Sequence, residues 1–224
     1  MLVKIKRQSS PSEKPYWQSF TYEGNGHVTV SAVLDALNYT DDLFDTEGNP
    51  APKIRWECSC MQAVCGGCAM VINGVPALAC STFIDEVKGK DLVLEPLSKF
   101  PVVADLIVDR SVIYENLNNA KAYLDNIATS KKKHHKQQYS VAKCLKCGLC
   151  LEVCPNYHPG GAFFGAVLAN ESYLLASQSK DKPSQIVKEY KKHFGAGCSK
   201  ALSCQTVCPA EIETITSIMR MNRK

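Results

Sequence analysis

Of the chain's 12 cysteines, four stand in Cys144-Leu-Lys-Cys147-Gly-Leu-Cys150-Leu-Glu-Val-Cys154-Pro155, the spacing C-x2-C-x2-C-x3-C-P. Thiolates so spaced bind a cubane of iron and inorganic sulfide. The first three hold one cluster, and the fourth reaches across to a cluster whose own run lies elsewhere. A partner run is therefore required, and Cys198-Ser-Lys-Ala-Leu-Ser-Cys204-Gln-Thr-Val-Cys208-Pro209 supplies it. Laid on the same template, Cys198, Cys204 and Cys208 take the first, third and fourth places, and Ala201 falls on the second. Crossed ligation then assigns Cys144, Cys147, Cys150 and Cys208 to a 4Fe–4S cluster and leaves Cys154, Cys198 and Cys204 for the other. A methyl group cannot bind iron, so this second centre is expected to lack a corner and to be 3Fe–4S.

A third group lies earlier. Cys60, Cys65 and Cys68 fit C-x4-C-x2-C, the opening of the plant-type 2Fe–2S pattern, and Cys80 follows as the expected fourth ligand. Gly66 and Gly67 suit a loop that must bend tightly and turn N–H groups toward sulfur. Cys58 falls outside the pattern and is read as a packed or spare thiol, since free cysteine behaves as a small hydrophobe.

The surrounding elements must carry these loops. Leu2–Lys6 and Trp17–Glu23 read as a hairpin. Gly24-Asn25-Gly26 reads as a turn, and Ser31 as the cap of a short helix striped by Val33, Leu34 and Leu37. Asp41 to Pro52 is polar and loop-like. Ala69–Ile72 and Val75–Ala79 form strands across an Asn73-Gly74 type I′ turn, which returns Cys80 to the cluster loop. A last strand covers Asp91–Leu97, and Pro96 with Pro101 punctuates the end of the domain. From Ser111 onward helix spacing takes over, with Val112, Ile113, Leu117, Ala120, Leu124 and Ile127 on one stripe. Further helices are expected at Ala142–Val153, Phe164–Gln178, Ser184–His193 and Glu211–Asn222. The fold class is α+β: residues 1–105 as a β-grasp, plant-type ferredoxin-like domain for 2Fe–2S, then 106–224 as an all-helical, bacterial-ferredoxin-like domain for 4Fe–4S and 3Fe–4S.

At 224 residues with 45% hydrophobic content, the chain suits one or two packed domains. The net charge of +4 is modest. Its densest basic stretch, Lys131-Lys-Lys-His-His-Lys136, lacks aromatic interleaving and reads as a solvated linker; no nucleic-acid partner is expected. The N-terminus shows neither a signal-peptide core nor a twin arginine. The longest apolar run, Ala162 to Ala169 broken by Gly165, is too short to span a bilayer. A cytoplasmic chain that does not itself cross a membrane is expected, with thiols available for metal. No catalytic constellation or Gly-rich nucleotide loop is present, so the expected chemistry is one-electron transfer. Structural zinc can use Cys-x2-Cys pairs, but seldom three cysteines at x2-x2 followed by x3-Cys-Pro.

Three cysteine groups in this order resemble those of one family, the iron–sulfur subunit of succinate dehydrogenase and fumarate reductase. The likeness extends to the short gap from Cys68 to Cys80, to Leu94-Glu-Pro-Leu97, Phe100-Pro-Val-Val103 and Asp105-Leu-Ile-Val-Asp-Arg110, and to Ser217-Ile-Met-Arg-Met-Asn-Arg223. An aliphatic residue at the place of Ala201 is in keeping with it. The resemblance implies an FAD-containing flavoprotein subunit at the N-terminal domain and a membrane anchor with a quinone near the 3Fe–4S cluster. It implies electrons passing in the order flavin, 2Fe–2S, 4Fe–4S, 3Fe–4S, quinone, on the cytoplasmic face of the cell membrane. Pro155-Asn-Tyr-His-Pro-Gly-Gly-Ala-Phe-Phe164 looks more like members with a dihaem cytochrome b anchor, often menaquinone-linked. His158 in this stretch reads as an ordinary loop histidine. A soluble fumarate reductase fed by thiols or ferredoxin is the alternative circuit, and the absent Cys-Cys motifs of heterodisulfide reductases count against it.

Overall fold

A regular alternation of apolar and polar side chains starts the chain: in β1 (Leu2–Arg7), Val3, Ile5 and Arg7 are buried while Lys4 faces water. The structure is a computed structural model describing residues 1–124, 127, 135–179 and 183–223, which form two units, Met1–Asp109 and Arg110–Lys224.

In the first unit β1 pairs antiparallel with β2 (Tyr16–Thr21) and parallel with β7 (Leu92–Glu95). Beyond β7 lie β5 (Ala69–Ile72) and β6 (Val75–Leu78), giving the sheet order β2-β1-β7-β5-β6. Asn73 (φ 46°) and Gly74 (φ 80°) both take positive φ, as a type I′ turn requires. The Asn73 side chain also receives the Val93 N–H at 2.6 Å, stitching the turn to β7. The helix α1 (Val30–Tyr39) buries Val30, Val33, Leu34 and Leu37. Its cap is Thr29 rather than the expected Ser31: extended Thr29 accepts the Ala32 N–H at 3.2 Å, while Ser31 is buried in the first turn. The polar segment after α1 is not wholly loop. It contains the short pair β3 (Leu43–Phe44) and β4 (Pro50–Ala51), closed by Asp45, whose carboxylate accepts from the Glu47 and Asn49 N–H groups. A second small ladder, β8 (Val102–Ala104) with β9 (Ile107–Val108), follows the prolines.

The second unit is built around α5 (Gly165–Gln178), buried along most of its length. Packed against it are α2 (Ser111–Asn119), α3 (His135–Ala142), α4 (Leu149–Glu152), α6 (Pro183–Phe194) and α8 (Thr214–Asn222). Pro183 opens α6 at the position where its missing N–H costs no hydrogen bond. Gly165 has φ 73°, and a Cβ there would run into Leu151, so glycine lets α4 approach α5 closely.

Three helix expectations change. The helix from Ser111 stops at Asn119, where Lys121 turns left-handed (φ 51°) and Ala122 bonds back to Leu117; Leu124 therefore lies beyond it, and Ile127 is 92% exposed. The expected helix Ala142–Val153 is instead the end of α3, a loop, and α4. The last helix begins at Thr214, because Glu211 has φ 52°. Of the basic stretch, residues 131–134 lie outside the described residues, and His135 and Lys136 open α3.

One buried ion pair fixes the entry to the first cysteine loop. Arg7 and Asp105 are each 2% exposed, and the guanidinium binds both carboxylate oxygens, at 3.2 and 2.8 Å. Arg7 also donates to Gln18 and to the carbonyls of Pro52 and Lys53. Asp105 accepts the Gln8 and Arg55 N–H groups. Every strong donor and acceptor is thus used, which is the condition for tolerating buried charge. Asp105→Ala should lower stability by about 3–5 kcal/mol, because it strands a buried cation. The double change Arg7→Met with Asp105→Leu should lose much less. Urea unfolding of the full chain checks this, and equal losses in the two variants would contradict it.

Candidate iron–sulfur cluster sites

Between Cys58 and Cys68 the backbone is forced into left-handed turns at Met61 (φ 53°), Ala63 (φ 57°) and Gly66 (φ 76°). Such turns swing successive N–H groups to the inside of the loop. Gln62 and Val64 donate to Cys60 Sγ, each at 3.4 Å. Ala63 donates to Cys80 Sγ at 3.3 Å and Gly67 to Cys65 Sγ at 3.4 Å. The β5–β6 hairpin returns Cys80, whose Sγ lies 3.3 Å from that of Cys68. Cys60 and Cys65 are neighbours within hydrogen-bond reach as well, so the four thiols stand as two pairs, the arrangement two irons need.

The electrostatics divide the same loop. Hydrogen bonds from Gln62 and Val64 pull the Cys60 thiol down to about 7, favouring thiolate near neutrality. Burial pushes Cys68 up to about 12, against a smaller backbone hydrogen-bond effect at Cys80. Gly66 is needed for its positive φ. Gly67 is not sterically required, since a Cβ there would meet Cys65 Sγ at an ordinary 3.7 Å.

The two C-terminal runs repeat one backbone. Lys146 (φ 54°) and Lys200 (φ 61°) both turn left-handed two residues after the first cysteine of their run. Gly148 (φ 88°) and Leu202 (φ 59°) do so again, immediately before α4 and before α7 (Ser203–Thr206). The hydrogen bonds correspond step for step: Leu151 to Gly148, Glu152 to Gly148, Val153 to Leu149 and Cys154 to Leu151 match Gln205 to Leu202, Thr206 to Leu202, Val207 to Ser203 and Cys208 to Gln205. In this register Ala201 occupies the place of Cys147. Leu202 takes the conformation that glycine takes in the first run, with a side chain that disfavours it.

The thiols also group across the runs. Cys208 lies within electrostatic reach of Cys144, Cys147 and Cys150, and Cys204 within reach of Cys154 and Cys198. Cys150 senses Cys204 too, so the two groups adjoin there. Burial pushes the Cys147 thiol to about 11 and raises Cys150 well above its ordinary value; burial, with Cys154 and Cys198 adding, pushes Cys204 to about 11. Protons on such thiols must leave when iron binds.

The donor set fits iron–sulfur clusters. Among the described residues no three histidine, cysteine or carboxylate side chains close tightly enough to hold a single ion, whereas a cluster spreads its thiolates around several irons. Tyr157 adds a second sign: it is 1% exposed, its hydroxyl has no protein partner, and it feels the charge of Cys150. A buried donor beside a ligand sulfur suits an inorganic acceptor. Cys58 is exposed, so of the two expected readings, packed or spare, it is not the packed one; His158 is exposed on its loop. Tyr157, Lys146 and the left-handed Met61 and Ala63 carried no signal in the sequence.

Comparison with known proteins agrees. A family described as a 2Fe-2S iron-sulfur cluster binding domain matches residues 2–115, and one described as a 4Fe-4S dicluster domain matches residues 140–212. The chain is 29% identical to the succinate dehydrogenase iron-sulfur subunit of Bacillus subtilis, covering 98% of this chain and 90% of that one. It is 30% identical to the fumarate reductase iron-sulfur subunit of Haemophilus influenzae, covering 84% and 79%. Among solved structures, a chain of the Mycobacterium smegmatis Sdh1 complex in the apo form shares the fold, with TM-score 0.74 and 22% identity over 100% of this chain and 96% of that one.

The grouping of thiols makes a discriminating prediction. Cys208→Ser should abolish the four-iron signal and leave the trinuclear EPR signal in place. Loss of the trinuclear signal instead would mean that each run holds its own cluster.

Proposed function

This chain belongs to the iron–sulfur subunits of succinate dehydrogenase and fumarate reductase, and from that premise we propose that it passes single electrons between the FAD of a flavoprotein subunit and a quinone at a cytochrome b membrane anchor. Its first unit is read as a β-grasp fold with Cys60, Cys65, Cys68 and Cys80 as 2Fe–2S ligands. Its second carries 4Fe–4S on Cys144, Cys147, Cys150 and Cys208, and 3Fe–4S on Cys154, Cys198 and Cys204. Such clusters supply reversible one-electron exchange at potentials set by cluster type, charge, hydrogen bonds and burial.

The chain's own residues do the rest. N–H donors from Gln62, Ala63, Val64 and Gly67 hold the sulfurs of the first loop, and Cys147 and Cys150 stand half-buried in the second. Met61, 42% exposed, and Val64, 64% exposed, form an apolar rim beside Cys60 and Cys65 that suits docking on the flavoprotein. No helix among the described residues is long and apolar enough to cross a membrane, so attachment at the cytoplasmic face is proposed to run through partner subunits. The observation that carries the reading is the repeated backbone of the two runs, with Ala201 in the slot of Cys147.

Two experiments test it. Purification of the native complex should bring down a flavoprotein and a haem-containing membrane subunit with this chain; its isolation alone, under conditions that preserve membrane complexes, would contradict the proposal. Ala201→Cys should remove the trinuclear EPR signal of the oxidised protein and give a second cubane signal on reduction, at a lower potential. An unchanged spectrum would refute the placement of Ala201.

A further inference from the structure

Lys146 stands between two thiols of the first C-terminal run, Cys144 and Cys147, in a loop where a lysine could reach into solvent. It does not. Its backbone is left-handed (φ 54°), and Nζ lies 2.5 Å from Glu171 Oε1 on α5. The two side chains are only 19% and 15% exposed, so the pair is largely withdrawn from water and weakly screened. The ammonium also lies close to the Cys144 thiol, and both its charge and that of the Glu171 carboxylate act there.

The second run lacks this arrangement. Lys200 holds the corresponding slot with nearly the same φ, 61°, yet its side chain is exposed. Arg110 also approaches the first run, with Nη1 3.5 Å from the Cys147 carbonyl oxygen. A buried charge on one run only will act on one centre.

We propose that Lys146 and Glu171 form a charge dyad that sets the reduction potential of the centre held by Cys144, Cys147, Cys150 and Cys208, the ammonium raising it and the carboxylate limiting the rise. The inference rests on the ligand assignment above. Reduction adds one negative charge to the centre; a fixed cation beside a ligand sulfur favours that form and a fixed anion disfavours it. Neither residue is among the assigned ligands. They are positioning residues for charge, and the dyad would govern how readily this centre accepts an electron relative to its neighbours.

The test is an EPR-monitored redox titration of the purified complex. Lys146→Met should shift the reduced-to-oxidised ratio of the four-iron centre about tenfold toward oxidised at a fixed ambient potential, close to 59 mV for one electron. Glu171→Gln should shift it the opposite way, the double variant should return near the parent, and Lys146→Arg should retain the parent value. Lys200→Met should move this centre much less. A loosened site would shift both single variants in the same direction, so opposite signs separate charge from structure. A normal four-iron signal with unmoved potentials, or with shifts of one sign, would overturn the dyad alone. Absence of a four-iron signal in the parent would overturn the ligand assignment and the dyad with it.

Discussion

Crossing of the last cysteine of each run into the other run's group is the constraint that organises the C-terminal unit. Cys208 lies within electrostatic reach of Cys144, Cys147 and Cys150, and Cys204 within reach of Cys154 and Cys198, so two distant segments are held together. The chain meets this with one backbone used twice: a left-handed residue, a second left-handed residue, then a four-residue helix ending at Cys-Pro. The central helix α5 supplies the common surface, packing against α4 and, through Gly165, allowing a close approach. Cys144, Cys198 and Cys208 lie against the hydrophobic core beside it.

The N-terminal unit solves the same problem with a sheet. There the hairpin β5–β6 delivers Cys80 to Cys68, and the Arg7–Asp105 pair anchors the segment leading into the loop. In the first unit donors are directed at sulfur by backbone conformation, while in the second, side chains such as Lys146 and Tyr157 act electrostatically on the thiols.

The motifs were legible because cluster spacing is a covalent property: Cys-x2-Cys and the terminal Cys-Pro stand in the sequence unaltered by folding. Strand alternation in Leu2–Arg7 and the Asn73-Gly74 turn were legible for the same local reason. What escaped was non-local or unsignalled. The first C-terminal run resembles an amphipathic helix in composition, so Ala142–Val153 reads as helical. The left-handed turn at Lys146 has no residue preference to announce it, and neither do those at Met61, Ala63 and Leu202, since each is imposed by the loop's closure. Thr29 displaces Ser31 as a cap because the neighbouring strand bridge, Thr29 with Phe83, holds it extended. The Lys146–Glu171 pair joins residues far apart in sequence and depends on how α5 lies against the loop.

The account stands on three inorganic centres of unequal size, the third short of one corner because Ala201 offers no sulfur. Mössbauer spectroscopy of the iron-57-labelled complex tests this most directly, since each cluster type contributes in proportion to its iron. Cluster iron is predicted in a ratio of about two to four to three. A ratio of about two to four to four, or thiols filled by zinc, would contradict it.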